Sequence, residues 1–126
     1  MTVILDGRII GAKIRDEVAE GVVALQQSHG VTPGLAAVLV GDDAASAVYV
    51  RNKGIACEKA GIYSETFNLN PNTSRDELME LIDRLNKDTR FHGVLVQLPL
   101  PAGIDEHGVI SSIDPLKDVD CIHPVN

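Results

Sequence analysis

Leu35-Ala-Ala-Val-Leu-Val40 places six apolar residues together, and Gly93-Val-Leu-Val96 repeats the pattern in shorter form. Runs this short that do not alternate read as strands buried on both faces, and such strands belong to parallel sheets covered by helices. Gly41-Asp42-Asp43 ends the first run and Pro99 stops the second. The flanking segments carry helical spacing instead. Ile10, Ile14, Val18, Val22 and Leu25 recur at intervals of three and four, which predicts a helix over about 7–29 with that stripe on the core, Asp6 as N-cap and Gly30 as stop. A second helix is expected over about 44–60, closed by Gly61. Ile62 to Leu69 alternates weakly and reads as another strand. Pro71-Asn-Thr73 is expected to open a third helix, with Thr73 capping it ahead of Asp76 and Glu77 and with Leu78, Leu81, Ile82 and Leu85 facing inward. A short helix is expected from Asp105 to Ile113, and Asp114 to Asn126 shows no period.

Strands alternating with helices predict an α/β fold of three layers, α/β/α, around a mainly parallel sheet. In such sheets ligands bind beyond the carboxyl ends of the strands. The segments from Gly41, from Gln97 and over Asp118–Asp120 are expected at that edge. The chain of 126 residues fits a single domain, 1–126, with no repeat or linker, and His123-Pro124-Val125-Asn126 reads as a cut at a hinge.

Charge and motifs narrow the function. Eleven Lys and Arg are scattered in a chain of net charge −7, so no basic stripe exists to meet nucleic acid. No apolar run reaches the ~20 residues of a membrane span, and the N-terminus lacks the layout of a signal peptide. Cys57 and Cys121 make neither a disulfide framework nor a zinc pattern. These features predict a protein of the cytoplasm without a bound metal. G-x-G-x-x-G and the P-loop motif are both missing, so nothing here binds a dinucleotide by itself.

Chemistry concentrates in Ser46-Ala-Val-Tyr49-Val-Arg-Asn-Lys53. On a helix these three side chains fall within an arc of roughly 60°. A fully solvated lysine is a poor base, whereas one at a cleft floor can both donate and accept protons. Taken alone, Lys53 reads as a surface lysine with a buried stem, Tyr49 equally as a ligand-stacking ring or a half-buried helix residue, and Ser46 as a cap. Gln97, at the end of an apolar strand, must find partners: Lys53, a ligand or a loop backbone. The prolines at 99 and 101 make a rigid lip. Asp118 and Asp120 straddle Val119, so in an extended segment both point one way. Asp118 then suits a surface pair with Lys117, and Asp120 suits a ligand's paired N–H groups. Asp42 and Asp43 suit a turn and helix cap, Cys57 suits core packing, and the histidines at 29, 92, 107 and 123 share no spacing.

Val40-Gly-Asp-Asp43, Ser46-x-x-Tyr49-Val-x-x-Lys53, Cys57-Glu-x-Ala-Gly-Ile62, Leu85-Asn-x-Asp88, His92-Gly-Val-Leu-Val-Gln97-Leu-Pro-Leu-Pro101 and Lys117-Asp-Val-Asp120 together resemble the bifunctional methylenetetrahydrofolate dehydrogenase/methenyltetrahydrofolate cyclohydrolase family, collinearly over essentially the whole chain. The resemblance implies a folate-binding catalytic domain followed by a Rossmann domain for NADP, with the site in the cleft between them. It implies Lys53 as the catalytic lysine, Gln97 as the glutamine that positions it, Tyr49 as the substrate-orienting residue and Asp120 as the carboxylate on the pterin ring. Ser46, Val96 and Leu98 complete the implied substrate-binding set. The implied reactions are oxidation of 5,10-methylene-tetrahydrofolate with NADP, then hydrolysis of the 5,10-methenyl cation to 10-formyl-tetrahydrofolate, in the one-carbon supply to purine biosynthesis, by a protein that commonly dimerises. The chain ends where the family crosses into its Rossmann domain, so no hydride transfer is expected from it alone. Cys121 replaces the family's usual Gly after Asp-Val-Asp, and a side chain there is expected to crowd the ligand or change the backbone angle. Two other readings remain: a non-catalytic folate-binding short form, and the substrate domain of another two-domain dehydrogenase, against which Val-Gln-Leu-Pro-Leu-Pro argues.

Overall fold

In the computed structural model, which describes residues 2–126, the chain runs α1 (Gly7–His29), β1 (Gly34–Val40), α2 (Ala44–Ala60), β2 (Tyr63–Leu69), α3 (Arg75–Lys87), β3 (Gly93–Val96) and α4 (Glu106–Ser111). The strands form one parallel sheet in the order β2-β1-β3, with Leu35 level with Ser64 on one side and Gly93 on the other. The apolar run of β1 lies at its centre, as a strand buried on both faces must.

The pleat divides the core in two. Ala36, Val38 and Val40 meet Val94, Val96, Leu78, Ile82, Phe91 and Val109 on the α3/α4 face. Ala37 and Leu39 meet Leu95 and Val50 on the α2 face. Adjacent β3 residues therefore face opposite layers, and this decides which side chains can approach α2. Gly34 is fixed by a close approach: a Cβ there would overlap the Arg90 carbonyl oxygen, where the chain enters β3.

Local signals set most boundaries. Asp6 caps α1 by accepting from the Arg8 amide at 2.9 Å, and Gly30 and Gly61 end α1 and α2 in the left-handed region at φ 65° and 80°. Three expectations are corrected. The cap of α3 is Ser74, whose Oγ accepts from the Glu77 amide at 3.1 Å; Thr73 lies in the preceding turn, where its amide donates to Asn70. The fourth helix is shorter than 105–113, spanning only Glu106–Ser111. Of the α1 stripe only Val22 is buried; Ile10, Ile14 and Val18 are 46%, 53% and 42% exposed, because among the described elements α2 is the main one packed against this helix. Among the described residues no helix is long and apolar enough to cross a membrane.

Candidate active site

The β1–α2 turn builds the first wall. Asp43 Oδ2 accepts from the Ser46 amide at 2.9 Å and from its hydroxyl at 2.8 Å, capping α2. These two bonds, the amide first, hold the Asp43 carboxyl below its ordinary range. Ser46 is buried, and its Oγ also lies 3.4 Å from the Leu98 carbonyl oxygen, tying the start of α2 to the segment after β3.

Two turns into α2, half-buried Lys53 donates from Nζ to Gln97 Oε1 at 2.9 Å. Gln97 is aimed there by the pleat. Its amide donates to the Val38 carbonyl at 2.9 Å, extending the β3 ladder by one residue, and its side chain follows Leu95 onto the α2 face. Its Nε2 donates to the Leu98 carbonyl at 3.2 Å, which fixes the amide orientation and leaves Oε1 for the amine. Val96, by the same alternation, is buried in the opposite core, so any ligand contact it makes is through its main chain. Tyr49 lies one turn before Lys53 and is 60% exposed.

The lip that follows includes a cis Leu98–Pro99 bond. It is held by a residue that sequence reasoning missed: Glu106 Oε2 accepts from the Leu100 amide at 2.8 Å. A carboxylate bonded to a loop amide leaves no periodic signal in sequence.

The Asp118–Asp120 segment corrects the extended reading. Asp118 bridges to Val94 on the outer edge of β3, and the chain then turns, with the Cys121 amide donating to the Asp118 carbonyl at 3.3 Å. Asp118 is buried and Asp120 exposed, so the two do not point the same way. Nor does Asp118 pair with Lys117. Lys117 Nζ donates instead to the carbonyls of Leu85 and Asp88 at 3.1 and 3.0 Å, because the last turn of α3 leaves carbonyls without helical partners. Val119 lies against Gly93, and Asp120 follows it in the turn, exposed. Cys121 keeps a left-handed φ of 55°, so the side chain leaves the turn in the conformation that glycine favours. Among the described residues Tyr49 and Asp120 make no side-chain hydrogen bond, so both side chains remain open to a ligand.

These features define an α/β domain whose strand-end edge holds an amine against an amide carbonyl, with an exposed ring and an exposed carboxylate on neighbouring elements. Residues 5–120 match the family described as tetrahydrofolate dehydrogenase/cyclohydrolase, catalytic domain, and the chain belongs to that family. It is 58% identical over 123 residues to the bifunctional protein FolD of Moorella thermoacetica, covering 98% of this chain and 44% of that protein. The bifunctional FolD enzyme of Campylobacter jejuni superposes with a TM-score of 0.94 at 46% identity, over 98% of this chain and 43% of that one. The Trypanosoma brucei enzyme, solved with NADP cofactor and inhibitor, gives 0.94 at 36% identity, over 99% and 42%. The chain thus spans less than half the length of the relatives it matches.

Proposed function

We propose that this domain is the folate-binding catalytic half of a methylenetetrahydrofolate dehydrogenase/methenyltetrahydrofolate cyclohydrolase. The observation that carries the reading is the Lys53 Nζ–Gln97 Oε1 bond of 2.9 Å at the strand-end edge. Asp120 accepts from the N–H groups of the pterin edge, Tyr49 stacks on or hydrogen-bonds the ligand, and Leu98 and the Val96 main chain line the approach, backed by the buried Ser46. Lys53 manages the protons of hydrolysis. As water adds to the methenyl carbon, the amine takes up one of the water's protons. As the bond from that carbon to N5 breaks, the ammonium returns a proton to N5 and the adduct's hydroxyl proton is released to solvent, leaving the formyl group on N10. The cation is already electrophilic, so a positioned proton carrier suffices. Gln97 holds the amine in place through its amide oxygen.

In the whole protein, which we infer is a cytoplasmic homodimer serving one-carbon metabolism, NADP would supply the oxidant for the first step. The residues here do not fit that cofactor. The turn after β1 places the Asp43 carboxylate on the N-terminus of α2, where a pyrophosphate would otherwise sit. The dinucleotide site is therefore assigned to a further domain.

The test follows 5,10-methenyl-tetrahydrofolate by its absorbance loss, with this chain and with Lys53→Ala. A slow hydrolysis reduced to background by the substitution is expected, with no NADP reduction from 5,10-methylene-tetrahydrofolate. Binding of tetrahydrofolate without hydrolysis would favour a folate-binding short form, and no binding would overturn the proposal. NADPH formation by the chain alone would overturn the assignment of the cofactor to another domain.

A further inference from the structure

Asp118 is a buried carboxylate in a segment without regular secondary structure. It is 7% exposed, and its Oδ1 has no hydrogen-bond partner among the described residues. A half-satisfied buried carboxylate is costly and calls for a compensating role. Its Oδ2 collects two donors from further along the chain, the His123 amide at 2.8 Å and Asn126 Nδ2 at 3.1 Å. Asn126 Nδ2 also donates to the Pro115 carbonyl at 2.9 Å, and the Asn126 amide donates to the His123 carbonyl at 2.9 Å. His123 is itself held at both ring nitrogens. The Val125 amide donates to Nδ1 at 3.1 Å, so Nε2 carries the proton and donates to the Ser111 carbonyl at 3.1 Å.

Asp118 is also fixed from behind, through its bridge to Val94 and the Val94 amide bond to the Lys117 carbonyl at 2.8 Å. It therefore joins β3, the strand that leads into Gln97, to the turn that presents Asp120. Asp120 is exposed and has no side-chain bond of its own, so its direction comes from the backbone of that turn. The turn contains a left-handed Cys121, a conformation that persists only where neighbouring contacts enforce it.

We propose that Asp118 is a positioning residue of the ligand site: its buried carboxylate clamps the His123 and Asn126 donors and so holds the turn that aims Asp120 at the folate. This rests on the function proposed above for Asp120. Burial pushes the Asp118 carboxyl up, yet the His123 amide, Asn126 and the Ile122 amide, with smaller help from His123, together hold it below its ordinary range, as a clamp made by the charged form requires.

The experiment compares this chain with Asp118→Ala, Asp120→Ala and the double variant. Amide hydrogen exchange and calorimetry with tetrahydrofolate are the readouts. Asp118→Ala should speed exchange at His123 at least tenfold while the amides of β1 and α3 stay protected. It should weaken tetrahydrofolate about as much as Asp120→Ala does, on the order of tenfold for a lost charged hydrogen bond. The double variant should then bind no more weakly than Asp120→Ala alone. A merely structural role would lower the fraction of binding-competent protein and leave its Kd unchanged. If Asp118→Ala does not fold, Asp118→Asn carries the comparison, with the same coupling and a smaller rise in exchange. Unchanged protection at His123, an unchanged Kd, or penalties that add in the double variant would each overturn the proposal. If the unsubstituted chain does not bind tetrahydrofolate, the folate reading fails, and the clamp stands or falls on His123 exchange alone.

Discussion

Gln97→Leu would keep the volume beside Lys53 and remove the only acceptor that its amine has among the described residues. The fold should survive, because Gln97 contributes to the sheet through its main-chain amide, which leucine retains. Hydrolysis should fall several-fold, up to about tenfold, since a lost hydrogen bond is worth about 0.5–1.5 kcal/mol. Tetrahydrofolate affinity should change little. Equal loss of affinity and rate would show that Gln97 binds the ligand directly instead of holding the lysine. Cys121→Gly argues in the other direction. A non-glycine residue at φ 55° is strained by about 1 kcal/mol, so the substitution should raise the urea midpoint slightly, and a fall would show that the thiol contributes packing. At this scale Ser46, Tyr49 and Lys53 were legible because helical period alone fixes their common side. Asp118 and Asp120 were not, because a single bridge followed by a turn looks like an extended strand until the His123 and Asn126 donors are in place.

Among the elements, α1 shows how boundaries and burial part company. Asp6 and Gly30 mark its ends in sequence, as local caps do, but the depth of its apolar stripe depends on what packs against it. The α3 stripe reads correctly because β1, β3 and α4 all meet it. Ile82→Ala, at a fully buried position on α3, should therefore lower the unfolding free energy by about 2–5 kcal/mol. Ile14→Ala, half exposed on α1, should lower it by about 1 kcal/mol or less in this chain. Urea unfolding followed by far-ultraviolet circular dichroism separates the two, and equal losses would mean that the exposed face of α1 is covered in solution. The α3 cap shows a finer limit. Thr73 and Ser74 are adjacent and both chemically competent, and only the turn over Asn70–Thr73 decides that Ser74 takes the role.

For the whole molecule, the topology was legible because buried strands separated by helices leave few arrangements: parallel pairing, helices on both faces and ligands at the strand ends. The contacts that close the domain around the sheet were not legible, since they run between loops. Asp88, at the end of α3, is their hub. Its carboxylate accepts from Arg90 Nη2 at 2.7 Å and from the Arg90 amide at 3.0 Å, and its carbonyl accepts from Lys117 Nζ. Arg90 in turn lies 5.3 Å from the centre of the Phe91 ring, a side chain buried in the core. The Arg90 side chain, with help from its amide, lowers the Asp88 carboxyl from an ordinary 3.8 to about 2. A carboxylate with a depressed folded pKa contributes stability that is complete above its unfolded value and fades as pH falls through its folded one. The contribution of Asp88 should therefore be full above about pH 5 and decline from 3.8 toward 2. Asp88→Asn, which keeps the shape and loses the charge, should be less stable than the unsubstituted chain at pH 7. That deficit, read from urea midpoints, should shrink steadily below pH 4 and nearly vanish at pH 2. A deficit as large at pH 2 as at pH 7 would place the effect in packing or capping. Convergence would show that an ionised Asp88–Arg90 pair joins the end of α3 to the sheet.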